Sequence, residues 1–119
     1  EDYHGICLLS PYPRIMGTEV PSFAEGTTFE LPAISFTSYY KDSCTAVALQ
    51  ACIELGATEV FVVGYDGYKG EILSEKEMDL SNENKVLFEE FMKSNKTILN
   101  SLTPSLYKSL NVESIYQFL

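Results

Sequence analysis

"DSCTAVALQACIELGATEVFVVGYDGY", residues 42 to 68, is the stretch from which the fold can be read. Asp42 or Ser43 can cap a helix, the body from Thr45 to Leu55 is built of good helix formers, and Gly56 stands where a C-terminal glycine belongs. Nearly every face from Ala46 to Leu55 is apolar or small, so this helix should pack closely on a sheet and be covered on its other side. "EVFVVG", 59 to 64, follows as a β-type run apolar on both faces, as interior parallel strands are. It ends at Gly64 and Gly67, which bracket Asp66 between Tyr65 and Tyr68. So polar a tip is either a simple turn or a binding loop at the edge of a sheet.

Just upstream, "AISFTS", 33 to 38, alternates and is rich in β-formers, which makes strand, helix, strand and hence a βαβ unit. On this pattern Val47, Leu49, Ile53, Val60, Val62 and Val63 are expected in the core. "GICLLS", 5 to 10, reads as the first strand, stopped by "PYP". From Arg14 to Leu31 the chain carries Gly17, Pro21 and Gly26 with little periodicity, so it reads as loop with a short strand at "TTFEL". Residues 74 to 95 are charged and then helical, with Val86, Leu87, Phe88, Phe91 and Met92 as an apolar stripe and Ser81 or Asn82 as the cap. "KTILNSLTP", 96 to 104, reads as a strand ended by proline, and "ESIYQFL" as a short helix or strand. The fold class is α/β: one domain over 1 to 119, a small Rossmann-like three-layer fold with a mainly parallel sheet. It lacks the Gly-rich fingerprint of dinucleotide binders.

Composition narrows the function classes. Eight basic against seventeen acidic side chains give a formal charge of -9, which opposes a broad contact with a phosphate backbone and argues against nucleic acid as a partner. No apolar run has the roughly 20 residues of a membrane span, and "EDYHGICLLS" lacks the basic region of a signal peptide. A cytoplasmic location without membrane contact is therefore expected. The chain opens without a methionine, straight into a strand, which points to a segment of a longer protein. Cys7, Cys44 and Cys52 are odd in number and set in apolar surroundings, and read as buried thiols.

In an open parallel sheet, ligands bind beyond the carboxyl ends of the strands. "PYPR", "SYYKDSCT", "GYDGYKG" and "SLTPS" would gather on that edge. The second of these runs into a helix N-terminus, where unpaired N–H groups favour an anion and where Lys41, Ser43 and Thr45 can add donors. Asp42 is either part of that site or a cap. Asp66 is placed to accept bonds from sugar hydroxyls, Gly64 and Gly67 let the backbone turn beside it, and Tyr65 and Tyr68 can stack on a ring or lid the core. Ser101 and Thr103 complete the candidate set from the last loop. No catalytic residue stands out: His4, the only histidine, lies at the extreme N-terminus, and no zinc, phosphate-loop or nucleophile-elbow motif occurs. The acidic stretch from Glu71 to Glu90 reads as a solvated helix face rather than a cation site.

Two family resemblances follow from these residues. The order "DSCTAVALQACIELGATEVFVVGYDGY", then "NENK", "NSLTPSLY" and "SIY", covering 33 to 119, resembles the C-terminal domain that follows the barrel in bacterial aldolase-like proteins. These are similar to HMG-CoA lyase and the pyruvate carboxyltransferases, and are linked to surface polysaccharide pathways. The resemblance implies an accessory domain with no cofactor of its own, partnered by the barrel that precedes it, which would hold any divalent metal. A purely structural module that docks on the barrel or forms a homodimer is the other reading. The block from Ser43 to Tyr68 is also similar to the sialyltransferases of glycosyltransferase family 42, in which a Ser/Thr-led helix and a Gly-x-Asp turn frame the CMP-sugar. Ser43, Thr45, Gly64 and Asp66 stand in matching places, while no histidine follows Asp66 as a general base. That implies a nucleotide-binding ancestry, with a CMP-sugar-dependent glycosyltransferase-like domain as the alternative.

Overall fold

The structure, a computed structural model, describes residues 5–11, 28–68 and 72–119. Its elements run β1 (Cys7–Leu9), β2 (Thr28–Glu30), α1 (Cys44–Glu54), β3 (Glu59–Val62), α2 (Glu75–Ser94), β4 (Ile98–Ser101), β5 (Asn111–Val112) and a closing 3-10 helix, Ile115–Phe118. β1 and β2 form one parallel pair, and β3, β4 and β5 form a parallel sheet in that order. The fold is thus mixed α/β of a small Rossmann-like kind, with parallel pairing throughout the described strands. Among the described residues no helix is long and apolar enough to cross a membrane.

Local chemistry sets the helix ends. Ser43 caps α1, its hydroxyl accepting from the Thr45 N–H at 3.1 Å, whereas Asp42 remains an exposed loop residue. At the other end Gly56 adopts φ 70°, and the bonds Gly56 N–H to Ile53 C=O and Ala57 N–H to Cys52 C=O close a Schellman motif. α2 begins earlier than the sequence suggests. Ser74, not Ser81 or Asn82, is its cap, and Glu77 returns a bond to the Ser74 N–H in a full capping box.

The βαβ unit is displaced by one helix from where the pattern puts it. Residues 33–38 join no sheet, although Ile34 and Phe36 are buried as the alternation predicts. Their backbone groups are met by side chains. The Ser35 N–H donates to Gln50 Oε1 at 2.9 Å, and the Phe36 carbonyl accepts from Ser94 Oγ at 3.0 Å. Gln50 itself is fully buried and is held by Glu54 at 3.0 Å. The parallel unit is instead β3–α2–β4, with Glu59 to Val62 registered on Ile98 to Ser101.

β4, not β3, is the interior strand. Leu99, Asn100 and Ser101 are completely buried, while β3 pairs only with β4 among the described residues. Of the expected core set, Leu49 is buried, Val47, Ile53, Val60 and Val62 are packed partly buried against the core, and Val63 is 62% exposed. The core proper is built by Leu31, Ile34 and Phe36, by Ala46 and Leu49 of α1, and by Leu87, Phe88 and Phe91 of α2. Phe88, with no exposed surface, sits edge-on to Tyr65 and to Tyr107 at centroid distances of 5.2 and 5.3 Å. Truncating such a ring costs about 3–5 kcal/mol, so α2 is fixed firmly beneath those two tyrosines. The thiols do not follow expectation uniformly: Cys7 and Cys52 are half-buried, but Cys44, in the first turn of α1, is exposed because it points away from the face of Thr45 and Ala46. Desolvation pushes the Cys52 thiol up, slightly offset by a backbone hydrogen bond.

Candidate functional site

The turn after β3 is stitched to the loop after β4. Gly64 and Gly67 adopt φ 79° and 87°, a left-handed conformation that glycine alone takes without strain. The Gly64 N–H donates to Thr103 Oγ1 at 3.0 Å, Ser105 Oγ donates to the Tyr65 carbonyl at 2.6 Å, and the Leu106 N–H donates to the Asp66 carbonyl at 2.8 Å. The two loops touch so closely that a Cβ on Gly67 would lie 2.9 Å from the Leu106 Cβ. Parallel strands side by side bring their following loops to one edge, and this is the physical reason that residues forty positions apart meet here.

Beside this turn is a cavity of about 340 Å³, walled by residues 64 to 68, Asn84 of α2 and Tyr107. A directed chain of hydrogen bonds runs along it. Thr45 Oγ1 lies 3.0 Å from the Tyr65 hydroxyl and 3.2 Å from Asn84 Oδ1, and Asn84 Nδ2 lies 3.5 Å from the Tyr107 hydroxyl. The carbonyl oxygen of Asn84 can only accept, so Thr45 spends its single proton there and Tyr65 donates to Thr45. Asn84 then donates to Tyr107 oxygen, and the Tyr107 proton, on a side chain only 7% exposed that lines the cavity, finds no acceptor among the described residues. The Asp66 carboxylate and the exposed Tyr68 ring stand at the same turn. Among the described residues no cationic side chain lines this cavity. It offers hydroxyl and amide donors, one carboxylate acceptor and aromatic edges, a set suited to a polyhydroxylated ring.

The sequence-derived candidates sort into three groups. Gly64, Tyr65, Asp66, Gly67 and Tyr68 line the cavity, and Thr45 supports it through Tyr65 and Asn84. Ser101 and Thr103 shape the edge: Ser101 is fully buried with its hydroxyl on the Thr103 carbonyl at 2.7 Å, and Thr103 holds Gly64. Lys41, Asp42 and Ser43 do not line this cavity. Lys41 and Asp42 are exposed, Ser43 caps α1, and Tyr40, at φ 51°, ties their loop to α2 by accepting from Asn82 Nδ2 at 3.2 Å. The residues beyond Pro11 in "PYPR", and His4, lie outside the described residues. Asn84 and Tyr107 were not singled out from the sequence. Asn84 had one signal, a poor helix former placed one turn before Phe88 on the buried face of α2.

Compared with known proteins, the chain matches no family model, no curated protein and no solved structure.

Proposed function

We propose that this chain is a binding domain for a small, hydroxyl-bearing acidic ligand, a nucleotide or sugar acid, held at the carboxyl edge of the β3–β4–β5 sheet. The observation that carries this reading is the Tyr65–Thr45–Asn84–Tyr107 chain, which leaves one oriented donor facing a cavity bounded by Asp66. Ligand hydroxyls would donate to the Asp66 carboxylate and accept from Tyr107, while the Tyr65 and Tyr68 rings flank the ligand. The cavity, at about 340 Å³, has room for a single sugar ring and lies at the small end of the roughly 300–1,000 Å³ typical of ligand pockets. The role in this reading is ligand binding, with Asp66 as the one carboxylate among the described residues that wall the cavity. On the sequence resemblance, the domain would serve as the accessory C-terminal part of an aldolase-type protein.

Thermal shift against pentoses, hexuronic acids and pyrimidine nucleotides tests this reading. A binder should raise the melting temperature, by mass action worth about 2.7 kcal/mol at 100 times its dissociation constant. Asp66→Ala and Tyr107→Phe should each abolish the shift. A shift that survives both substitutions would place the ligand elsewhere.

One feature favours a second reading, a docking module. Phe61, Val63 and Ile98 lie on the sheet face opposite the core with 39%, 62% and 47% of their surfaces exposed, and the Phe118 ring packs on Phe61 edge-on at 5.1 Å. Concentration-dependent association of the domain, lost on Phe61→Ser, would support docking through that face.

A further inference from the structure

A second depression, of about 380 Å³, shares Tyr107 as a wall with the Asp66 cavity. Ser81, Lys85 and Glu89, spaced by four on one face of α2, form one side, and Lys108 and Ser109 form the other. Lys85 and Lys108 are exposed and make no ion pair among the described residues. Two of the eight basic side chains of a chain with charge -9 therefore converge from separate elements on one concavity, with two serine hydroxyls beside them. Like charges brought together repel unless an anion lies between them, and Glu89 supplies only one carboxylate, beyond ion-pair distance of either lysine. Ammonium groups with hydroxyl donors are the chemistry that receives a phosphate.

We propose that this depression is the subsite for the acidic group of the ligand, a phosphate monoester, whose sugar ring occupies the neighbouring Asp66 cavity across Tyr107. The inference rests on the binding reading above and gives it a substrate class: a pentose or hexose phosphate. It also moves the anion away from the α1 N-terminus, where the Ser43 hydroxyl holds the Thr45 N–H and the Thr45 hydroxyl is committed to Tyr65 and Asn84.

Calorimetric titration at fixed ionic strength with ribose 5-phosphate, ribose and inorganic phosphate tests the two halves separately. Ribose 5-phosphate should bind at least tenfold tighter than either fragment, because one molecule then fills both subsites. The double variant Lys85→Met, Lys108→Met should lose that advantage and all binding of inorganic phosphate while binding ribose as before. Glu89→Gln should tighten phosphate by about threefold by removing the opposed charge. All three positions sit at the surface, and unchanged melting temperatures would confirm intact folding. Ribose 5-phosphate binding no tighter than ribose in the parent protein, or just as tightly in the double variant, would overturn the subsite. Phosphate that binds through the lysines while ribose never binds would leave the subsite standing and sink the sugar cavity instead.

Discussion

The hydroxyls of Thr45, in the first turn of α1, and Tyr65, just past the end of β3, lie 3.0 Å apart and tie the start of one helix to the tip of the neighbouring strand. The same Thr45 oxygen reaches Asn84 of α2 at 3.2 Å, so one nearly buried side chain joins three elements under the cavity. Thr45→Val keeps the shape and removes both bonds, leaving Tyr65 and Asn84 with unmet polar atoms. Chemical denaturation should show a loss of about 1–3 kcal/mol, with Tyr65→Phe costing less, about 0.5–1.5. Equal stability of Thr45→Val and the parent would mean that the chain contributes nothing to the fold.

Gly64 and Gly67 share a left-handed backbone but not their surroundings. A Cβ at Gly64 meets nothing within 4 Å, so Gly64→Ala should cost only the conformational strain, about 1 kcal/mol. At Gly67 it would collide with Leu106 at 2.9 Å, and the total should rise to about 2–3 kcal/mol. In a double-mutant cycle Leu106→Gly, which removes the Cβ that is struck, should recover the collision and not the strain, whereas Leu106→Ala, which keeps it, should not. Should the two glycine variants unfold alike, the contact between the loops would be looser than described.

Asn100, at the centre of the sheet, is fully buried and donates to Glu59 Oε1 at 2.8 Å, while its own Oδ1 finds no partner among the described residues. Asn100→Asp replaces that donor by an acceptor facing a carboxylate. At neutral pH the variant should lose about 3 kcal/mol or more, since a buried unpaired charge is involved. Acidification should narrow the gap, because protonating either carboxyl restores a donor. A variant whose deficit is the same at every pH would refute this placement of Asn100 against Glu59.

Glu77 gives α2 a pH dependence of known sign. Its carboxyl is held below the usual range first by the Ser74 backbone N–H and then by the Ser74 hydroxyl, against a small opposing effect of burial. The folded state therefore binds the proton less tightly than the unfolded state. The stabilisation is fully present above the ordinary glutamate value of about 4.3 and is lost as pH falls through the lowered one. Melts of the parent and Glu77→Gln should differ at about pH 6 and converge towards about pH 3. Parallel melting curves across that range would show that the capping box does not form in solution.

The sequence alone determined what local chemistry can specify. The end of α1 at Gly56, the strands at 7–9, 59–62 and 98–101, and the sharp turn at Gly64 and Gly67 were legible because caps, proline stops and glycine turns act within a few residues. Even the meeting of "GYDGY" with "SLTPS" followed from parallel strands, whose loops share an edge. Alternation at Ile34 and Phe36 announced which side chains are buried, but not that Gln50 and Ser94, rather than a neighbouring strand, would satisfy their backbone. The choice of β4 over β3 as the interior strand was likewise decided by pairing with β5, two residues too short to stand out in the sequence. Asn84 and Tyr107, 23 positions apart, and Lys85 with Lys108 form common walls only once α2 has packed along the sheet. Burial pattern is a property of each segment, whereas partnership between segments is settled by the long-range packing that excludes water from the core.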